Sequence, residues 1–283
     1  MSTSGIYADI YSSFVSDTNL LPALPEITLT IRQKLRDPNC TNKVAADLLK
    51  SDPGLAAFIM RTSNSVRYML RRPPADIESA VLRLGLSATL NLATTYATSS
   101  MFSVSSPVLK KTLLKSYKNA TKVAVISYFL AEKLPGFDPG KAMLAGLLQD
   151  IALPPLLTRL MNRPDIFNDK EKLLAAIDEL SPLVNSLILE LWDFDEEIID
   201  VVRTRKQWHR NENDVLDLSD IVLIARWHSL MGTDEFSACP SFLDMPVCNK
   251  LPCGQLEADN SLKLLVESRQ EIDELQQTLC VAA

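Results

Sequence analysis

The sequence predicts an all-α fold, and three observations carry that reading. Apolar residues recur at spacings of three and four, as on the buried face of a helix, and no stretch shows the period-two alternation of a strand. Only 8 glycines occur in 283 residues, few for a loop-rich β architecture. The 16 prolines punctuate helix ends more than they interrupt helices. Hydrophobic residues make up 47% of the chain, enough for a substantial core in one large domain or two small ones.

The elements follow in order. Ile27, Ile31 and Leu35 fall four apart on one stripe, and Asp37-Pro38-Asn39 ends that helix. Thr41 can cap the next, which carries Val44, Leu48 and Leu49. Asp52-Pro53 is a helix start: a carboxylate at the N-cap, then a proline in the first turn, where its missing N–H costs nothing. That helix is expected to bury Leu55, Ile59 and Met60. Pro73-Pro74 closes the unit, and Asp76 or Ser79 can open another. Leu82 to Thr98 reads as helical, with Gly85 allowing a bend or a close contact. A second block begins near Pro107. Leu113 to Lys133 is a strong helix with Val123, Ile126, Phe129 and Leu130 inward. Lys141 to Leu148 is the next, with Pro154-Pro155 expected to stop it early. Lys170–Glu179, Pro182–Leu191 and Asp195–Arg203 read as three helices, the last two joined at Trp192-Asp193-Phe194. Thr233 to Gly254, rich in Pro, Cys and small polar residues, reads as a connector that packs on the body or moves. Leu256 to Leu279 then reads as one long helix. Leu265, Ile272 and Leu279 recur every seven residues with Leu275 beside them, which suits either packing on the parent domain or a homodimer.

Composition narrows the function. The formal net charge is −6, so the chain as a whole gains no counterion-release affinity for nucleic acid. Arg61, Arg67, Arg71 and Arg72 form the best local basic patch, read first as a solvated helix end and second as an interaction surface. No run of ~18 apolar residues suggests a membrane span. The first residues lack a basic region followed by an apolar one, so a cytoplasmic location is expected. Cys40, Cys239, Cys248, Cys253 and Cys280 are odd in number and loosely spaced. They match neither a disulfide framework nor a zinc site and read as free thiols. His209 and His228, 19 residues apart, are not spaced as a local ligand pair, and no nucleophile motif is visible.

Four blocks in order carry a resemblance. They are Leu21-Pro22-Ala23-Leu24-Pro25-Glu26, then Ser51-Asp52-Pro53-Gly54-Leu55-Ala56, then Ser63-Asn64-Ser65, then Ile77-Glu78-Ser79-Ala80-Val81-Leu82-Arg83-Leu84-Gly85. A fifth, Ala145-Gly146-Leu147-Leu148-Gln149-Asp150-Ile151, follows. Together, from about Phe14 to Trp208, they resemble the HDOD family, the HD-related output domains of bacteria. The resemblance implies a multi-helix fold with an N-terminal helical lobe (residues 1–105) packed on an HD-like helical lobe (106–232), followed by the connector and C-terminal helix (233–283).

The same resemblance implies where the metal ligands of the HD superfamily would fall. The His-Asp dipeptide is here Gln149-Asp150. The other histidine positions fall at or near Asn119, Ser181, and Arg205 with Lys206. A neutral amide is a poor substitute for an imidazole toward Zn, Mn or Fe. Only Asp150 remains, either as a capping or buried carboxylate or as a partner of Arg205 or Lys206, which would take the metal's electrostatic place. The expectation is therefore a protein without metal or other cofactor and without catalysis. It would serve as an output or scaffold module in bacterial signalling that works through a protein partner, with Asn64, Arg67, Arg71 and Arg72 as candidate interaction residues. Two alternatives stay open. One is a metal-dependent HD-superfamily phosphohydrolase acting on a nucleotide or cyclic nucleotide. The other is a metal-free module that binds a nucleotide or phosphate ligand through Asp150, Arg205 and Lys206.

Overall fold

Side-chain carboxylates and hydroxyls at the N-caps set many of the helix starts. In a computed structural model, residues 3–64, 74–102, 106–252 and 262–280 are described. Arg67, Arg71, Arg72, Pro73 and Cys253 lie outside them. The N-terminal helices are α1 (Thr3–Ser16), α2 (Glu26–Leu35), α3 (Asn42–Lys50), α4 (Pro53–Ser63), α5 (Ile77–Leu84) and α6 (Leu86–Met101). Thr41 accepts from the Val44 amide and Asp52 from the Leu55 amide, so both expected caps are present. Asp76 and Ser79 cap each other's backbone in a capping box, satisfying two otherwise orphaned donors.

The second group comprises α7 (Pro107–Lys133), α8 (Pro139–Leu148), α9 (Leu153–Leu160), α10 (Pro164–Phe167), α11 (Lys170–Leu191), α12 (Glu196–Thr204) and α13 (Leu218–Leu230). Val123, Ile126, Phe129 and Leu130 of α7 are buried as expected. α7 and α8 pack closely because residue 146 is glycine: an added methyl would stand 2.9 Å from Ser127 Oγ and 3.0 Å from Ala124 Cα. Beyond short 3₁₀ turns lie α14 (Lys263–Glu267) and α15 (Arg269–Cys280). Among the described residues, no helix is long and apolar enough to cross a membrane.

Several expectations are sharpened or corrected. Leu82 to Thr98 is two helices, because Gly85 takes φ +79° and ends α5, where a residue with a side chain would be strained. Val44 is exposed, and Ala45, Ala46 and Leu49 form the buried face of α3. Pro154 and Pro155 do not stop α8. They sit in the first turn of α9, where proline needs no amide partner. Lys170–Glu179 and Pro182–Leu191 form the single helix α11 with Pro182 inside it. Burial of Ala176, Leu180, Val184 and Ile188 along one face outweighs the hydrogen bond the proline removes. The long C-terminal helix is interrupted at Ser268.

The tail packs on the body. Ile272, Leu275 and Leu279 of α15 are buried, α15 lies against α7, and Gln276 donates to the Lys118 carbonyl. The heptad stripe thus faces its own chain, which removes the feature that suggested a homodimer. Phe242, Met245 and Val247 of the connector are also buried. Trp227 packs between Phe236 and Phe242, at 5.0 and 4.9 Å, and donates through Nε1 to the Pro240 carbonyl.

Contacts run freely between the two helical groups: α1 packs on α11 and α6 on α8. Arg32 of α2 is buried, donates to the Trp192 and Asp193 carbonyls at the end of α11, and lies 4.0 Å over the Phe194 ring. Burial and the neighbouring Arg36 pull it down to about 10. Trp192 returns a bond to the Pro22 carbonyl, so the Leu21–Glu26 block meets the tip of α11.

Candidate functional site

The site grows from the turn that ends α8. Gln149 is the C-cap of that helix and wholly buried, and the chain then turns through Asp150 to Ala152. Asn185, buried on α11, fixes this turn. Its Nδ2 donates to the Gln149 carbonyl at 2.7 Å and its Oδ1 accepts from the Ala152 amide at 2.6 Å. Both backbone groups would otherwise be unpaired in the interior.

Held this way, Asp150 faces two arginines. Arg205, at the C-cap of α12, sets Nη1 3.0 Å from Asp150 Oδ1. Arg226, from the middle of α13, sets Nη1 2.9 Å from Asp150 Oδ2 and donates at 2.8 Å to Gln149 Oε1. The side chains of Arg205, Arg226 and Asp150 are 3%, 10% and 22% exposed, so solvent reaches the cluster mainly at the carboxylate. Burial alone would raise the Asp150 carboxyl. The guanidiniums of Arg226 and Arg205 outweigh it and hold the carboxyl well below the usual carboxylate range. Arg205 shifts downward, burial dominating over its attraction to Asp150. Cys239 of the connector lies within electrostatic range of Arg226 and Lys206, and burial pushes its thiol up.

Of the positions read from the sequence, Gln149, Asp150 and Arg205 come together. Lys206 does not bond Asp150: it pairs with Asp178 on α11, and its pull on Asp150 is only through space. Ser181 is buried on α11, one turn before Asn185, and Asn119 is half-buried on α7. Among the described residues, no hydrogen bond joins either to the cluster. Asn64 ends α4, and its Oδ1 is enclosed without a partner among the described residues. Arg61 is exposed, and the rest of that arginine patch lies outside them. His228 is buried with Nδ1 2.9 Å from the Ile224 carbonyl, and His209 is exposed. The sequence reading missed Arg226 and Asn185. A signal for Arg226 existed: it is a lone cation in the apolar run Ile221–Trp227, and a buried arginine needs a partner.

A divalent metal does not fit this donor set. Both carboxylate oxygens of Asp150 face guanidiniums, the amide oxygen of Gln149 is held by Arg226, and two cations occupy the neighbourhood an ion would need. Among the described residues, no group of three or more His, Cys, Asp or Glu is placed to hold a metal.

A second ionic cluster lies at the N-terminal end of α13. Arg210 reaches Asp220 Oδ1 and both oxygens of Asp217, and Lys250 of the connector sits 2.8 Å from Asp220 Oδ2. Asp220 is fully buried.

Comparison with known proteins places these features. A protein of Shewanella amazonensis SB2B, described as a candidate metal-dependent phosphohydrolase, superposes with a TM-score of 0.79 at 21% identity, covering 99% of this chain and 98% of that one. An HDOD domain protein of unknown function from Geobacter sulfurreducens gives 0.65 at 20% identity, covering 99% of each chain. A candidate signal transduction protein of Marinobacter aquaeolei VT8 gives 0.50 at 18% identity, with 92% of this chain on 58% of that one. At these identities the likeness is one of fold. Comparison with curated proteins finds no match. The HDOD domain model matches residues 21–208, and the chain therefore belongs to the HDOD domain family.

Proposed function

We propose that this HDOD protein is a non-catalytic signalling module, an output or scaffold element that acts by binding, in which an internal ion cluster replaces the metal centre of the HD superfamily. One observation carries the reading: Arg205 and Arg226 engage the two oxygens of Asp150, the one carboxylate left from the ligand set. A carboxylate held between two guanidiniums is neither a free metal ligand nor a general base, because each oxygen is engaged by a cation and its proton affinity is depressed. The cluster ties α8, α12 and α13 together where an ion would otherwise link ligands from several helices. The likeness in fold to the Marinobacter protein, described as a candidate for signal transduction, supports a signalling role. The partner would be a signalling protein, met in a cytoplasmic setting.

Metal content and turnover test this reading. Purified full-length protein incubated with Mn²⁺ or Fe²⁺ and desalted should retain well under one metal per chain by elemental analysis. Hydrolysis of phosphomonoesters and cyclic nucleotides should not exceed that of Asp150→Asn. Stoichiometric metal, or turnover abolished by Asp150→Asn, would establish the phosphohydrolase instead.

A further inference from the structure

We infer that the Asp150 cluster is a binding site for a small oxyanion of the phosphate class. The inference rests on the metal-free reading above, since it requires the two arginines to stand where an ion would be. Two guanidiniums face one carboxylate, while Lys206 and Asp178 neutralise each other, so the cluster holds one positive charge in excess. A buried charge in excess is destabilising unless another group compensates it.

The hydrogen-bond inventory points the same way. Among the described residues, Arg205 and Arg226 each engage the cluster through Nη1 and leave a buried Nε without a partner, as Arg210 also does in the second ionic cluster, so the donor that sets this site apart is an amide. Gln149 is fully buried and its Nε2 also lacks a partner, although its Oε1 is fixed on Arg226. The amide end of Gln149 is thus anchored at the cluster with its donor unused. Unpaired donors, positive charge and planar guanidinium forks together suit a tetrahedral oxyanion, which accepts several N–H bonds at once and takes arginine in a bidentate geometry. A neutral ligand would leave the charge uncompensated, and a cation would be repelled. Asp150 opposes an anion, but both its oxygens are turned to the arginines. Its 22% exposure marks the side on which solvent reaches the cluster.

The geometry also explains the replacement of histidine by glutamine at position 149. An asparagine or glutamine amide can accept from Arg226 and donate to an anion at the same time, whereas an aliphatic residue can do neither.

The test is calorimetric titration of the full chain at constant ionic strength with inorganic phosphate and, separately, with adenosine monophosphate, sodium chloride serving as the control. Saturable binding of phosphate is expected, at least tenfold weaker in Arg226→Met and several-fold weaker in Gln149→Leu, which leaves both Asp150 ion pairs in place. Circular dichroism checks that each variant folds, and Gln149→Leu decides the matter if Arg226→Met does not. Free phosphate binding as tightly as the nucleotide identifies the ion itself as the ligand. A nucleotide bound at least tenfold more tightly, and displaced by phosphate, identifies a phosphomonoester carried on a larger molecule. No saturable binding in the wild type, or binding undiminished in both variants, overturns the inference. Failure of the metal-free reading would register in metal content and turnover, neither of which this titration measures.

Discussion

Two ionic clusters built on arginine and aspartate lie along α13, one at its N-terminal end and one at its middle, yet they differ in balance. At the N-terminal end, Arg210 and Lys250 face Asp217 and Asp220, and every charge has a near partner. Burial lowers the Arg210 guanidinium, but Asp217 and Asp220 outweigh it and hold it above its ordinary value. In the middle of the helix, Arg226 and Arg205 share the single Asp150, and side-chain N–H groups are left over. The first cluster is a clamp that fastens the connector to the body. The second retains unused charge and the unused amide donor of Gln149, whereas an unpaired buried guanidinium Nε occurs in both, at Arg210 as at Arg205 and Arg226. The difference teaches that charge density alone does not mark a functional place; the residue of charge and hydrogen-bonding capacity after internal pairing does.

Substitution can break or sharpen that contrast. The largest loss is expected from Asp220→Ala, which strands Lys250 in the interior and takes one carboxylate from Arg210. Removing one partner of a buried pair destabilises by about 3–5 kcal/mol, measurable as a lower urea midpoint at unchanged slope. A loss below about 1 kcal/mol would show that the clamp is not a clamp. Asp150→Asn comes next, at about 2 kcal/mol, because this cluster lies nearer solvent than Asp220.

The pH dependence of that second variant follows from its sign. The Asp150 carboxyl is depressed in the folded state, so its contribution is present above the unfolded value of about 3.9 and is lost as pH falls through the folded one. Wild-type melting temperature should therefore fall more steeply below about pH 4 than that of Asp150→Asn. Parallel acid limbs would count against the ion cluster.

Asn185→Ala should cost about 1–3 kcal/mol, because it leaves the Gln149 carbonyl and the Ala152 amide unpaired in the interior. The smallest effect separates the clusters most sharply. Arg226→Met removes the excess charge and leaves Asp150 paired with Arg205; that relief offsets the buried Gln149 Oε1 it unpairs, so it should destabilise by about 1 kcal/mol or less. Lys250→Met, which unbalances the other cluster, should destabilise by several times that amount. Equal losses in the two variants would erase the distinction.

Much of the fold was legible because its signals are local. Thr41, Asp52 and Asp76 cap the helices they precede, and the inward stripe of α7 follows from its spacing. Pro182 misled for the same reason: local propensity marks a break, and only the burial of α11 on both sides of it overrides that mark. At the site, Gln149 and Asp150 were legible from the motif that surrounds them, and Arg205, with Lys206, only from where the family resemblance places a further ligand position. Arg226 lies 76 residues beyond Asp150, and Asn185 lies 33 residues beyond the Ala152 amide it binds. Such partners are chosen by the packing of helices, which hydrophobic periodicity places on a core without saying which neighbours they meet. The choice of Arg205 over Lys206 follows from the turn at the end of α12, which buries Arg205 and carries Lys206 outward to Asp178.

Arg32 has a consequence for cooperativity. It joins α2 to carbonyls 160 residues further along the chain, and Trp192 bonds back to Pro22 across a similar separation. Helix α2 thus closes on an element that follows it by 160 residues. Neither half completes its surface alone: without residues 192–194 the α2 guanidinium has no acceptors, and without α2 the end of α11 exposes its carbonyls. Fusing the halves at this point makes opening of one expose the other. The N-terminal helices are therefore tied by these bonds to the helix that carries Asn185 of the ion cluster, although they contribute no residue to it.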